Sequence, residues 1–221
     1  MIFLWRGVTV LAYLPAMSQP SDDERLIAAL WRVIAAHGWP GLSMRRLAVE
    51  AGVEAASLRE RFPTRLDVLL LHGRMMDQAV LAGTIPGQGG SARDRIFDVL
   101  MRRLDAMQPH REGILRLFED MRRDPALALV LAPHIGIAMR WMLEAAEVEA
   151  KSCEARLLAL GLAGVWLATI RAWAGDDSPD MGATMAALDS ALDRAERIAR
   201  PLGLLRGEAA PPPSAEAAET S

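Results

Sequence analysis

From residue 26 to residue 199 the apolar side chains recur three and four positions apart, and β-branched runs are nearly absent. That period belongs to amphipathic helices. Leu26, Ile27, Leu30, Trp31, Val33 and Ile34 predict a helix over 22–36, with Arg25 and Arg32 on its outer side. Ser21 or Asp22 caps it, acids fill its first turn, and His37-Gly38-Trp39-Pro40-Gly41 stops it. Ser43 then caps a short helix whose inner positions are Leu47, Ala48 and Ala51. Gly52 falls where a tight turn asks for a left-handed backbone, with Val53 expected to plug the angle beyond it. A second short helix packs Ala56 and Leu58 inward and ends at Phe62-Pro63. Thr64 and Asp67 form a capping box for a helix reaching about residue 81, carried by Val68, Leu69, Leu71, Met75, Met76 and Ala79. Two short helices around a glycine turn cannot bury themselves. With a longer helix on each side they make a helix-turn-helix.

Gly83, Pro86, Gly87, Gly89 and Gly90 break the pattern and mark a boundary. Two amphipathic helices follow: Ile96 to Met107, ended by Pro109, and Ile114 to Met121, ended by Asp124-Pro125. Residues 126–132 read as a short apolar turn or two, and Pro133 starts or kinks a helix running to about residue 150. Residues 152–174 form the most hydrophobic helix, and Ser178-Pro179 caps and opens a last one marked by Met181, Met185, Leu188, Leu192, Ala195 and Ala199. The expected fold is all-α: an N-terminal three-helix helix-turn-helix domain over 21–82 and a C-terminal helical ligand-binding and dimerisation domain over 91–203. The soft, bulky Met101, Met121, Met139, Trp141, Met142 and Trp166 are candidates to line an apolar ligand cavity. The two last helices call for cover, and a four-helix seam of two subunits through Leu162, Val165, Met181, Met185, Leu188 and Leu192 supplies it.

Composition narrows the chemistry. The 221 residues are 52% hydrophobic but only 5% aromatic, with a formal net charge of −3. No long-range attraction to nucleic acid follows from that balance, so contact with DNA must come from a local patch. The lone Cys153 excludes an intrachain disulfide and fits a reducing, cytoplasmic compartment. No stretch reads as an uninterrupted apolar span without a charge or a breaker. Residues 1–20 read as an over-extended start or a loosely held extension, and 204–221, with three consecutive prolines, as a disordered tail. His37, His72, His110 and His134 are scattered near helix ends, and no nucleophile–base spacing, phosphate loop or metal pattern occurs. Neither catalysis, a metal nor a cofactor is expected.

From the first helix through Ala-Val-Glu-Ala-Gly-Val at 48–53, Ser57-Leu58 and Arg-Phe-Pro-Thr-Arg at 61–65, the sequence resembles the Tet-repressor (TetR) family of bacterial regulators. Ser43 matches the small hydroxyl residue that opens the family's second helix. Ser57 and Leu58 match its threonine and leucine, Phe62 its phenylalanine, and Arg65 its lysine. The family's tyrosine is Arg59 here, its histidine is Arg61, and its turn-following lysine is Ala55 beside Glu54. The resemblance implies a homodimeric repressor of a palindromic operator in double-stranded DNA, released by a hydrophobic or amphipathic small molecule. In it Ser43, Arg45 and Arg46 approach phosphates, Ser57, Arg59 and Arg61 lie on the recognition helix, and Arg65 clamps a phosphate.

A second resemblance covers 166–189, from Trp166 through Asp176-Asp177-Ser178-Pro179 to Asp189. It looks like the lipid-binding accessory family of coenzyme Q biosynthesis, which shares the fold. That likeness implies an alternative: an accessory protein for ubiquinone intermediates that binds an isoprenoid lipid, touches the membrane and keeps only a vestigial helix-turn-helix. On the residues themselves, Asp176 and Asp177 are expected to stay solvated while Ser178 caps.

Overall fold

The computed structural model describes residues 21–87, 89–148 and 150–202, so the expected extension over 1–20 and the tail over 204–221 lie outside the described residues. Among these, nine α-helices and no strand are formed. The N-terminal domain holds α1 (Asp22–Gly41), α2 (Met44–Ala51), α3 (Ala55–Arg61) and α4 (Arg65–Ala82). The helical domain holds α5 (Ala92–Met107), α6 (Arg111–Arg123), α7 (Pro125–Ala145), α8 (Ser152–Ala174) and α9 (Gly182–Ala199), with a 3-10 turn at Gln108–His110.

The expected caps operate. Ser21 and Glu24 close a capping box on α1, and the Ser43 hydroxyl accepts from Arg46 N at 3.2 Å at the start of α2. Asp67 accepts from both the backbone and the hydroxyl of Thr64, each at 2.7 Å. Gly52 ends α2 with φ 67°, the left-handed turn expected there. Gly38, also at φ 67°, kinks α1, so the stop signal bends the chain without ending the helical path until Gly41. Val53 is exposed rather than plugging the turn, and Ala56 is exposed too, leaving Leu58 and Phe62 as the inward anchors of this corner.

α1 runs along α6, and this contact joins the two domains. It needs Gly113: a side chain there would meet the Trp31 carbonyl oxygen at 2.6 Å and the Trp31 ring at 2.9 Å. Beside it, Trp31 stands edge-on to His72 with ring centroids 5.0 Å apart, and His110 lies 5.5 Å from His72. The two histidines, scattered in sequence, thus meet at the domain junction. Burial, aided by the charges of His110 and Arg103, pushes the His72 imidazole down to about 3. Arg103 of α5 pairs with Asp77 of α4 in a largely buried bridge and lies over the Trp166 ring at 5.6 Å. The junction therefore mixes apolar packing with charges that are buried only because they are paired.

α7 is one continuous helix. Asp124 caps it, Pro125 opens it, and Pro133 sits inside on the exposed side, where its missing donor and ring are accommodated without ending the helix. It stops at Ala145, short of the expected 150. α7 and α8 are both long and apolar enough to cross a membrane by length and composition. Neither is uninterrupted: α7 carries Pro133, Gly136 and Arg140, and α8 carries Arg156, Gly161 and Gly164. One face of each is packed into the helical domain.

The Asp-Asp-Ser segment also differs from expectation. Asp176 is buried: it accepts from Ser178 N at 3.2 Å and from Thr184 N and Oγ1 at 2.8 and 2.7 Å. These hydrogen bonds, first those of the Ser178 and Thr184 hydroxyls, hold its carboxyl below the usual carboxylate range. Asp176, not Ser178, therefore caps α9, which begins only at Gly182. Arg111 closes the other side of the loop by donating to the carbonyls of Trp173, Ala174 and Asp176 at 3.2–3.3 Å, a cation at the C-terminus of α8.

Two measurements test this packing. Gly113→Ala is expected to wedge α1 from α6 and to cost about 1–3 kcal/mol in urea unfolding, the usual penalty of an overpacked core. His72 binds its proton far more weakly folded than unfolded, so its stabilising contribution is fully present above pH 6.5. Unfolding free energy should fall by up to about 1.4 kcal/mol per pH unit below that value, until the folded group itself protonates. Stability measured against pH should lose this slope in His72→Phe.

Candidate nucleic-acid interface

α2 and α3 hang from the corner that α1 and α4 make, and α3 shows more of itself than any neighbour. Of its residues only Leu58 is buried; Ala55, Ala56, Ser57, Arg59, Glu60 and Arg61 are all exposed. Leu58 and Phe62 pin the helix from below, so its outer face is held rigidly yet left bare. On α2, Arg45, Arg46 and Val49 are exposed as well, Val49 at 77%.

The candidate residues divide by what already holds them. Arg45 and Arg59 make no ion pair among the described residues and are exposed. Arg46 reaches back to the Gly41 carbonyl. Arg61 bonds Asp23 of α1 and lies over the Phe62 ring at 5.0 Å, which turns it toward the domain's own body. Ser43 serves as the α2 cap, and Ser57 is exposed on α3.

Arg65 departs most from expectation. One of its nitrogens donates to the carbonyls of Trp39 and Leu42 at 2.8 and 2.7 Å, and its guanidinium lies 4.6 Å from the Trp39 ring centroid. Through that nitrogen Arg65 ties the α1–α2 corner to the start of α4. The Leu42 carbonyl and the Trp39 carbonyl, which also accepts from Leu42 N at 3.2 Å, both take this charged donor. The structure also adds Val49, Ala55 and Ala56 to the exposed face. Their small apolar side chains suit close approach and contact with a thymine methyl. The helical period leaves Val49 on the face opposite Leu47 and Ala48, which was the available signal.

The other two candidate sets are not brought together as expected. Met139 and Met142 are fully buried in the core and Trp166 nearly so, Met101 and Met121 are half-buried, and Trp141 is 48% exposed on the outer side of α7. None of the six lines either of the two grooves described below. The described hollows are open surface grooves, the larger about 630 Å3 between α1, α6 and the end of α8, with Ala35, Leu115, Phe118 and Ala174 beside Arg116 and Arg122. Of the six seam candidates, Leu162, Val165, Met181, Leu188 and Leu192 are buried within the monomer and Met185 is half-buried. They hold α8 and α9 to each other and to the domain. The bare face of α8 is the opposite one, with Leu157, Leu160 and Leu167 exposed at 55%, 71% and 51%, and Gly161 and Gly164 exposed between them.

These features define a two-domain, all-helical protein with an N-terminal helix-turn-helix. Residues 26–70 match the family model described as bacterial regulatory proteins, tetR family. No curated protein matched the chain. Among solved structures, it is similar to a TetR transcriptional regulator from Nitrosomonas europaea, with a TM-score of 0.63 and 17% identity over 79% of this chain and 98% of that one. A TetR transcriptional regulator from Rhodococcus sp. RHA1 matches with a TM-score of 0.56 and 18% identity over 79% and 94%. A tetR-family regulator from Streptomyces coelicolor matches with 0.54 and 17% over 84% and 86%. At these identities the likeness establishes a shared fold. The resemblance of 166–189 to the coenzyme Q accessory family finds no support in these matches, and the buried cap made by Asp176 accounts for that segment on structural grounds.

The division of the arginines is measurable. Arg65→Ala should lower the unfolding free energy by about 1–3 kcal/mol, because it strips two carbonyls of a charged donor. Arg45→Ala and Arg59→Ala should each stay within about 0.5 kcal/mol of wild type, as exposed unpaired side chains do.

Proposed function

We propose that this protein is a dimeric DNA-binding transcriptional regulator, a repressor that reads a palindromic operator with α3 and responds to a hydrophobic or amphipathic small molecule. The observation that carries the reading is α3 itself, a two-turn helix anchored by one leucine with every other side chain exposed beyond a glycine turn. A helix so presented fits the major groove. Arg59 is the base-reading arginine in this reading, since it is exposed and makes no ion pair among the described residues. Arg45 and Arg46, with Ser43 and Ser57, meet the phosphates and sugars, and Arg61 shares itself between Asp23 and the DNA. Arg65 acts by holding the corner. The reading unit spans 21–82, and 91–203 carries dimerisation and effector binding.

The second copy covers the bare stripe of α8. In an antiparallel crossing about residue 162, Leu160 of each subunit lies opposite Gly164 of the other, and Leu157 opposite Leu167. Large against small under a two-fold axis is self-complementary. The open groove beside α6 is the space offered to the effector, where Leu115 and Phe118 sit among charges of both signs, Glu112 and Glu119 with Arg116, Arg122 and Arg123. The protein acts in the cytoplasm, where its DNA is.

Selection from a genomic fragment pool is expected to return a palindrome with two half-sites, and footprinting should protect both. Arg59→Ala should cost about 1–3 kcal/mol and relax preference at one base pair per half-site. Arg45→Ala should weaken all sequences alike and lower the salt dependence. A folded sample that selects no site, with or without added amphiphile, would refute the reading.

A further inference from the structure

One side chain of the helical domain makes a hydrogen bond to the helix-turn-helix corner among the described residues. Asp120, on α6 and 6% exposed, accepts a hydrogen bond from Trp39 N at 2.6 Å, across 81 positions of sequence. Among the described residues this is the one hydrogen bond from residues 91–202 to residues 38–65. Its receiving end is a short segment with unusual connections. Gly38 kinks the chain at φ 67° and comes so close to the carboxylate that an added Cβ would sit 2.6 Å from Asp120 Oδ2. Trp39 O and Leu42 O both accept from Arg65 at the start of α4, and Leu42 directly precedes Ser43, the cap of α2. On the other side Arg116, one turn before Asp120, holds its Nε 3.7 Å from Asp120 Oδ1 and lines the groove beside α6. That Nε is buried without a hydrogen-bond partner among the described residues, so Arg116 is poorly committed to its acidic neighbours.

We propose that Asp120 is an interdomain latch, a positioning residue that seats the helix-turn-helix on the helical domain by holding the Trp39 amide. A displacement of α6 then reaches α2 and α3 along the bonded path Asp120, Trp39, Arg65, Leu42. The bond is short, charge-assisted and sheltered, so it resists small disturbances. It is also single, so its loss frees the corner without dismantling either core. The regulatory consequence rests on the DNA-binding reading; the mechanical one does not. Occupation of the groove at Arg116 acts one turn from the latch, where a shift of α6 has the shortest path to the reading helix.

Amide hydrogen exchange and operator affinity, measured on the full chain, separate the two claims. Asp120→Ala should speed exchange at Trp39 and at Leu47 of α2 about tenfold, and weaken operator binding by about as much, the expected scale for one charge-assisted hydrogen bond. Exchange at Trp173 in the helical domain should stay as in wild type. Asp120→Asn keeps an acceptor oxygen and should stay within about threefold on both readouts. Gly38→Ala pushes on the same bond from the other side and should reproduce the alanine variant, which guards against a single substitution that merely misfolds. Faster exchange at Trp39 with Leu47 unchanged would overturn the bonded path. Faster exchange at both with unaltered operator affinity would overturn the regulatory role. If wild type selects no DNA at all, the DNA-binding reading fails on its own, and the exchange results still decide whether Asp120 seats the corner.

Discussion

Everything in this protein hangs on how closely α1 approaches α6. Gly113 leaves room for the Trp31 backbone and ring, and no other residue type fits there without moving one helix. Because of that approach, Trp31, His72 and His110 meet at one junction and Asp120 reaches Trp39. The helix-turn-helix is too small to hold its own orientation. Its position in space is set by α1 against α6 and by α4 against α5 and α7.

The junction is built from polar groups as much as from apolar ones, and that choice has consequences. An apolar seam slides; a hydrogen bond to one backbone amide has a direction. Arg103 with Asp77, Arg65 with Trp39 and Leu42, and Asp120 with Trp39 all cross between elements at positions where burial makes an unpaired group costly. The same logic governs the far end, where Asp176 and Arg111 cap α9 and α8 from one loop. Gly175 ends α8, and this capping carries the chain from it to the start of α9. Met181 accordingly takes φ 52°, held from both sides.

Surface and interior divide differently from what amphipathic spacing suggests. On α9 the ladder of Leu188 and Leu192 is complete within one chain, since α8 covers it. On α8 the leftover face carries Leu157, Leu160 and Leu167 with two open glycines, so the apolar surplus lies where a second helix fits and not where the ladder pointed. Trp141 on α7 makes the same point: period alone put it inward, and the packing of α7 against α8 leaves it half outside.

Local signals in the chain were sufficient for the helices, their caps and the glycine turn, because each depends on neighbours within four or five residues. Ser43, Gly52, Thr64 and Asp67 do what their types and spacing require. The helix α3 was legible for the same reason, although Ala56, expected inward with Leu58, proved exposed. Tertiary structure decided what each polar side chain is for. Arg59 and Arg65 are the same residue type six positions apart, yet one is bare and the other donates to two carbonyls of the corner beyond Gly38. Asp120 gave no local sign of its role, because its partner lies 81 residues away. Asp176 looked solvated because its acceptors are satisfied by residues beyond a turn whose shape is not encoded in periodicity. Periodicity specifies which face of a helix is apolar, but which neighbour covers it is a property of the assembled fold.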